Sequence, residues 1–136
     1  MILVSEIEDE ITFWGLKPDD IQMREQIDGH IKACYDQKLL ADVKGLPMEG
    51  SLVLAPFQDQ GSEPSSHRAL IIKPSIKTND SDHRMEYCYV RFVDYGNYKE
   101  VPQQALKVID NECLYDHDQK VHIIKIPCLA VKYRLV

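Results

Sequence analysis

The chain has 136 residues, which is room for one domain, or for a small domain and part of a second. A hydrophobic share of 44% supports a real core, and 28% charged residues leave only the Gln-, Ser-, Gly- and Pro-containing stretch 58–66 as a hint of low complexity. The formal net charge of −6 argues against a clustered basic face of the kind that grips phosphates and favours basic partners through steering.

In chain order, residues 2–7 and 11–16 read as two strands joined through the acidic Glu8, Asp9 and Glu10, a hairpin. A helix follows. Pro18 suits its first turn, and Asp19 and Asp20 complement the positive end of its dipole. Met23, Ile27, Ile31, Cys34 and Tyr35 then fall on one stripe at helical period, interrupted by Gly29, and Gly45 and Pro47 are expected to end the segment. From residue 51 the period becomes that of strands: 51–56, 68–73, 86–94 and 98–101, with 106–109 as a candidate fifth. Polar loops are expected at 58–66 and 74–84, and one helical turn at 102–105. Short strands at this spacing suggest a small antiparallel barrel. Residues 113–119 are ambiguous, and 121–136 reads as one long strand, or two broken near Pro127.

Cys34, Cys88, Cys113 and Cys128 form no Cys-x-x-Cys pair and read as buried or half-buried thiols of a reducing compartment. The opening "MILVSEIEDE" lacks a basic start, and its apolar run is too short for a signal peptide. No apolar run approaches the roughly 20 residues that span a bilayer. Cytoplasm or nucleus is the expected location.

The stretch "YCYVRFVDYGNYKEV", residues 87–101, places five aromatic rings and an Asn about one glycine. Gly96 and Asn97 tolerate the positive φ that tight turns demand. Tyr87, Tyr89 and Phe92 are also what strands of a small barrel use as filling. Composition alone leaves open whether the rings fill a core or enclose a ligand.

The longer segment "VRFVDYGNYKEVPQQALKVI" resembles the core signature of Tudor domains: Val-x-Phe-Val-Asp-Tyr-Gly-Asn, then a Val, a Leu and an apolar residue. Upstream, "GSLVLAPF" and "HRALII" resemble the first two Tudor strands. "FWGL" with the helix ending in Tyr35, and "IPCLAVKYRL" near the end, resemble the flanks of the extended Tudor domain. There a Tudor (SH3-like) barrel is inserted in an OB-type, staphylococcal-nuclease-like module. The resemblance covers nearly the whole chain, without the C-terminal helical piece that usually completes the module. It implies a mainly β fold with one long helix. The module's N-terminal part would occupy 1–48, the barrel 49–111, and the resumed, C-terminally incomplete module 112–136.

The resemblance further implies a non-catalytic reader of arginine or symmetrically dimethylated arginine in disordered Arg-Gly or Arg-Ala tails of Piwi-family proteins. It implies no cofactor, and a setting in cytoplasmic, perinuclear germ granules of the piRNA pathway. Position by position, the family's aromatic cage falls on Phe57, His67, Phe92 and Tyr95. Asn97 matches the Asn that hydrogen-bonds the guanidinium; Asp94 matches the family's Asp, expected to brace the turn and to add negative field at the cage mouth, with Gly96 as a supporting turn residue. His67 departs from the Tyr or Phe usual at its position. Three readings stand: a weakened cage, a site adapted to unmodified arginine in which neutral imidazole accepts a hydrogen bond, or a loop shift that places His67 elsewhere.

Other chemistries fit less well. Glu8, Asp9 and Glu10 lack the cations that metal-assisted phosphodiester cleavage needs and read as turn residues. His83, His117 and His122 pair with no recognisable nucleophile, and Asp116-His117-Asp118 reads as a surface loop. Lysines and arginines are interleaved with acids, so direct DNA contact is not expected and RNA contact is a minor reading. The competing function is a scaffold or self-association domain with a degraded cage, offering a sheet edge to a partner.

Overall fold

Nine strands and one α-helix arrange themselves in three sheets in the computed structural model, which describes residues 3–7, 12–57, 65–78 and 84–134. Glu8, Asp9, Glu10 and His83, and most of the loop expected at 58–66, lie outside the described residues.

β1 (Leu3–Ile7) and β2 (Thr12–Leu16) pair antiparallel as the expected hairpin. β2 also pairs with β9 (Val131–Arg134), Thr12 opposite Arg134 and Gly15 opposite Val131, so the two ends of the chain share one sheet. Between them comes α1 (Pro18–Asp36), with Pro18 in the first turn and Asp19 and Asp20 beside it. Ile27, Ile31 and Cys34 of the predicted stripe are buried, whereas Tyr35 faces solvent. The helix stops well before Gly45. Lys38 takes a positive φ of 58°, the N–H of Leu39 donates to the Cys34 carbonyl and that of Lys38 to the Tyr35 carbonyl, both at 3.0 Å. This is a Schellman ending built on a lysine where a glycine is usual. Among the described residues no helix is long and apolar enough to cross a membrane.

The barrel sheet runs in the order β3 (Leu52–Phe57), β4 (Ser65–Thr78), β5 (Arg84–Phe92) and β6 (Tyr98–Pro102). Alternation along β5 sends Cys88, Val90 and Phe92 into the core. Tyr87 and Tyr89 therefore lie on the opposite face, where the Tyr89 ring stacks on Tyr98 at 5.6 Å. They do not fill the barrel. The expected turn at 102–105 is a 3-10 turn, Gln103–Ala105. The candidate fifth strand shrinks to a bridge: the Lys107 and Leu54 backbones exchange two hydrogen bonds of 2.9 Å, and Lys107 also bridges to Asp42.

Two cores result. Val53, Ala55, Phe57, Ala69, Ile71, Cys88, Val90, Phe92, Val101 and Leu106 fill the barrel. Leu54, on the other face of β3, joins Leu16, Ile27, Ile31, Leu114, Ile123 and Leu129 in the second. β3 is thus a wall shared by barrel and module.

Of the two expectations for the C-terminal stretch, two strands broken near Pro127 is the one that holds: β8 (Val121–His122) and β9 are separated by a 3-10 turn (Ile123–Lys125) and by residues 126–130, which lie in no strand. β8 pairs with β7 (Tyr115–Asp116) in the ambiguous region, where the Asp116 carboxylate accepts from the Asp118 and Gln119 N–H groups. Carbonyls that a strand would give to a ladder go instead to Arg68. Its guanidinium donates to the carbonyls of Ile123 (2.9 Å), Ile126 and Pro127 (3.0 Å).

All four thiols are free. Cys34 and Cys88 are buried and Cys113 is half-buried, but Cys128 is exposed, contrary to expectation. Burial, aided by the neighbouring Cys113, pushes the Cys34 thiol up to about 12, and burial also raises Cys88. Neither thiol is a ready nucleophile.

Candidate functional site

The register of β3, β4 and β5 carries the aromatic residues to one end of the barrel. Phe57 ends β3 opposite Ser65, and Ala55 faces His67. Phe92 faces Ala69 on the next strand pair. The turn after Phe92 is closed by backbone hydrogen bonds from Gly96 N–H to the Phe92 carbonyl (2.7 Å) and from Phe92 N–H to the Asn97 carbonyl (2.9 Å). This folds Tyr95 back over the strand ends.

The four rings touch. Phe57 is central, with ring centroids 4.3 Å from His67, 4.5 Å from Phe92 and 5.0 Å from Tyr95. His67 and Tyr95 are 5.0 Å apart, in an edge-to-face arrangement. A flat cation between two ring faces needs one van der Waals contact on each side, or about 7 Å between rings. The rings must part for a guanidinium to enter. Phe92 is fully buried beneath the others. An open groove of about 300 Å³ lies over Phe57, His67 and Tyr95, with Asp28, Gly29, Lys32 and Ser65 completing its lining.

Neither Asn97 nor Gly96 lines that groove. Asn97 is half-buried, and its side-chain Oδ1 is buried without a hydrogen-bond partner. Gly96 has φ +95°, and a Cβ there would stand 2.3 Å from Trp14 Cβ and 2.4 Å from Cγ. The glycine is therefore required twice over, by the turn and by Trp14 of β2 pressed against it. Asn97 does not share its positive φ. Asp94 turns away from the groove. Its carboxylate accepts from Arg68 Nε (2.8 Å) and Nη2, and from the Leu129 N–H (3.2 Å). It braces the barrel against the C-terminal segment.

Residues of α1 that sequence reasoning did not single out complete the site. Asp28 Oδ1 lies 3.0 Å from His67 Nδ1, and Oδ2 accepts from the Tyr95 hydroxyl. His67 Nε2 lies 2.7 Å from Ser65 Oγ. With Asp28 ionised, Nδ1 of a neutral imidazole is the donor and Nε2 accepts from Ser65. Burial first, then the Asp28 carboxylate, raises the Tyr95 phenol well above its usual range, so it stays an O–H donor. One turn earlier, the Arg24 guanidinium lies 4.2 Å from the centre of the Tyr95 ring and donates to the Asp94 carbonyl (3.3 Å). The readable signal was the i, i+4 series Arg24, Asp28, Lys32, a charged row beside the apolar stripe.

Comparison with known proteins identifies the family and the fold. The Tudor domain family profile matches residues 1–136. The fold is similar to the extended Tudor domain of Drosophila melanogaster Tudor-SN (p100), at 20% identity and TM-score 0.70, covering 99% of this chain and 53% of that one. It is similar to the extended Tudor domain of Drosophila melanogaster Papi in complex with an unmethylated Piwi N-terminal peptide, at 20% and 0.66, covering 96% and 55%. It is also similar to the human TDRD1 extended Tudor domain in complex with a symmetrically dimethylated peptide, at 18% and 0.65, covering 96% and 54%. The chain thus spans little more than half the length of these structures. No curated protein matches it in sequence.

Proposed function

Since the chain belongs to the Tudor domain family, we propose that it is a non-catalytic module that binds arginine, unmodified or methylated, in disordered Arg-Gly or Arg-Ala segments. In this reading the barrel occupies 49–111, flanked by the module parts 1–48 and 112–136. The observation that carries the reading is the convergence of the Phe57, His67 and Tyr95 rings, 4.3 to 5.0 Å apart, beneath a groove that also holds the Asp28 carboxylate. Ring faces attract a guanidinium by about 0.5–2 kcal/mol per contact, more as water is excluded. Methylation keeps the charge and removes donors. His67 in place of a larger ring leaves fewer carbon contacts for methyl groups and makes unmodified arginine acceptable. Asn97 lies outside the groove with its Oδ1 buried, so the acceptor available to the guanidinium in this reading is the Asp28 carboxylate.

The partner we infer is the N-terminal tail of a Piwi-family protein, with germ granules as the setting. Related domains have been solved with Piwi and Aubergine peptides. Affinity per site is modest, because the tail gives up its disorder on binding, and multivalency raises it.

A second reading has its own observation. The rings are in mutual contact and Phe92 is fully buried, as in a scaffold domain whose pocket has closed. One titration separates the two. An Arg-Gly peptide is compared with its Arg-to-Lys form on the wild-type chain and on Tyr95→Ala. A reader loses roughly tenfold or more of its affinity in each case, whereas a scaffold binds all combinations alike.

A further inference from the structure

Asp28 is the one carboxylate lining the groove among the described residues. It arrives from α1, outside the barrel, and is held at both oxygens. His67 Nδ1 sits on Oδ1 and the Tyr95 hydroxyl on Oδ2. These two contacts fix the plane of the carboxylate between two of the rings. They leave it unsaturated, because an ionised carboxylate offers about four lone-pair sites and the two donors occupy two. The cations nearby are held elsewhere. Lys32 Nζ lies 2.7 Å from Asp36 Oδ2, and Arg24 is stacked on Tyr95. Asp28 also keeps 22% of its side chain exposed, so a ligand can reach it.

We propose that Asp28 is a specificity-determining residue that makes the site prefer arginine with its terminal N–H donors intact over symmetrically dimethylated arginine. This rests on the arginine-reading function above. A guanidinium entering between Phe57 and Tyr95 presents its planar fork to the two free lone pairs of Asp28, a bidentate, charge-assisted contact. Methylation on both terminal nitrogens blocks that fork and sets methyl groups against a carboxylate that needs donors. The aromatic contacts, which favour methyl groups, are weakened by the smaller face of His67.

The test titrates one disordered Arg-Gly peptide in unmodified, symmetrically dimethylated and Arg-to-Lys forms against the wild-type chain and Asp28→Asn. Asparagine keeps the shape and one acceptor but removes the charge. The wild type should bind the unmodified peptide roughly tenfold more tightly than the dimethylated one. Asp28→Asn should bring the two within about twofold or invert them. Unfolding curves on the same samples establish that the variant is folded, and Asp28→Ala supplies a second substitution if Asn is not. A ratio that neither variant moves overturns the role of Asp28 and leaves the arginine-reading function standing. Equal binding of the Arg and Lys peptides, or no binding at all, overturns both.

Discussion

His67 and Arg68 are neighbours on β4, and each meets a carboxylate far away in sequence. Their environments differ completely. Arg68 is 1% exposed and saturated: Asp94 takes Nε and Nη2, and three carbonyls of the C-terminal segment take the rest. His67 meets Asp28 at the floor of a groove, and that carboxylate retains unused lone pairs. One pair is sealed between barrel and module with every donor spoken for. The other, one residue away, has spare hydrogen-bonding capacity facing outward. A sealed pair fixes how two units dock, and an unsaturated one can take a ligand.

The comparison breaks first at the sealed pair. Arg68→Ala leaves Asp94 charged and buried, and strands the carbonyls of Ile123, Ile126 and Pro127. The expected loss is about 3–5 kcal/mol in urea unfolding. A loss under about 1 kcal/mol would show that the C-terminal segment docks without Arg68.

Next in size is Gly96→Ala, which joins a strained backbone to a direct collision with Trp14. Trp14 cannot retreat freely, because Arg91 and Lys132 lie over its ring at 4.8 and 5.7 Å. A destabilisation of about 2–4 kcal/mol is expected, read as a fall in melting temperature. A variant as stable as the wild type would mean that the turn does not rest on Trp14.

These two sites also mark what the sequence could reveal. The barrel strands were legible because alternation at period two is local and the Asp-Tyr-Gly-Asn turn carries its own chemistry. The ring residues followed from the family pattern. Asp28 did not, since its role depends on residues 67 and 95, brought to it only by folding. The end of α1 near Tyr35 followed from the family pattern, whereas local signals pointed on to Gly45, because Lys38 adopts a conformation for which glycine is the usual signal. For 121–136 the sequence left open one strand or two broken near Pro127; the break is there because the carbonyls of Ile123, Ile126 and Pro127 are captured by a side chain from β4. Pairing of β2 with β9 joins the chain's two ends, beyond the reach of any local pattern.

The smallest effect sharpens the open pair. In the folded chain the Tyr95 phenol is raised by burial and by Asp28, so the folded state holds its proton more firmly than the unfolded state does. The stabilisation linked to this is complete below the ordinary tyrosine range near pH 10. It is lost as pH rises above that range and the unfolded chain releases protons that the folded chain retains. Stability should therefore fall with alkaline pH. Tyr95→Phe keeps the ring and deletes the titrating group, so its stability should fall less steeply from about pH 10 upward. Some slope must remain, because Cys34, pushed up to about 12, and Cys88, also raised, titrate in the same direction. Unfolding free energies at about pH 8 and near pH 10.5 measure the difference. Identical slopes for the two proteins would place the Tyr95 hydroxyl in water rather than against Asp28, and the carboxylate would then lose one of the two contacts that fix its plane.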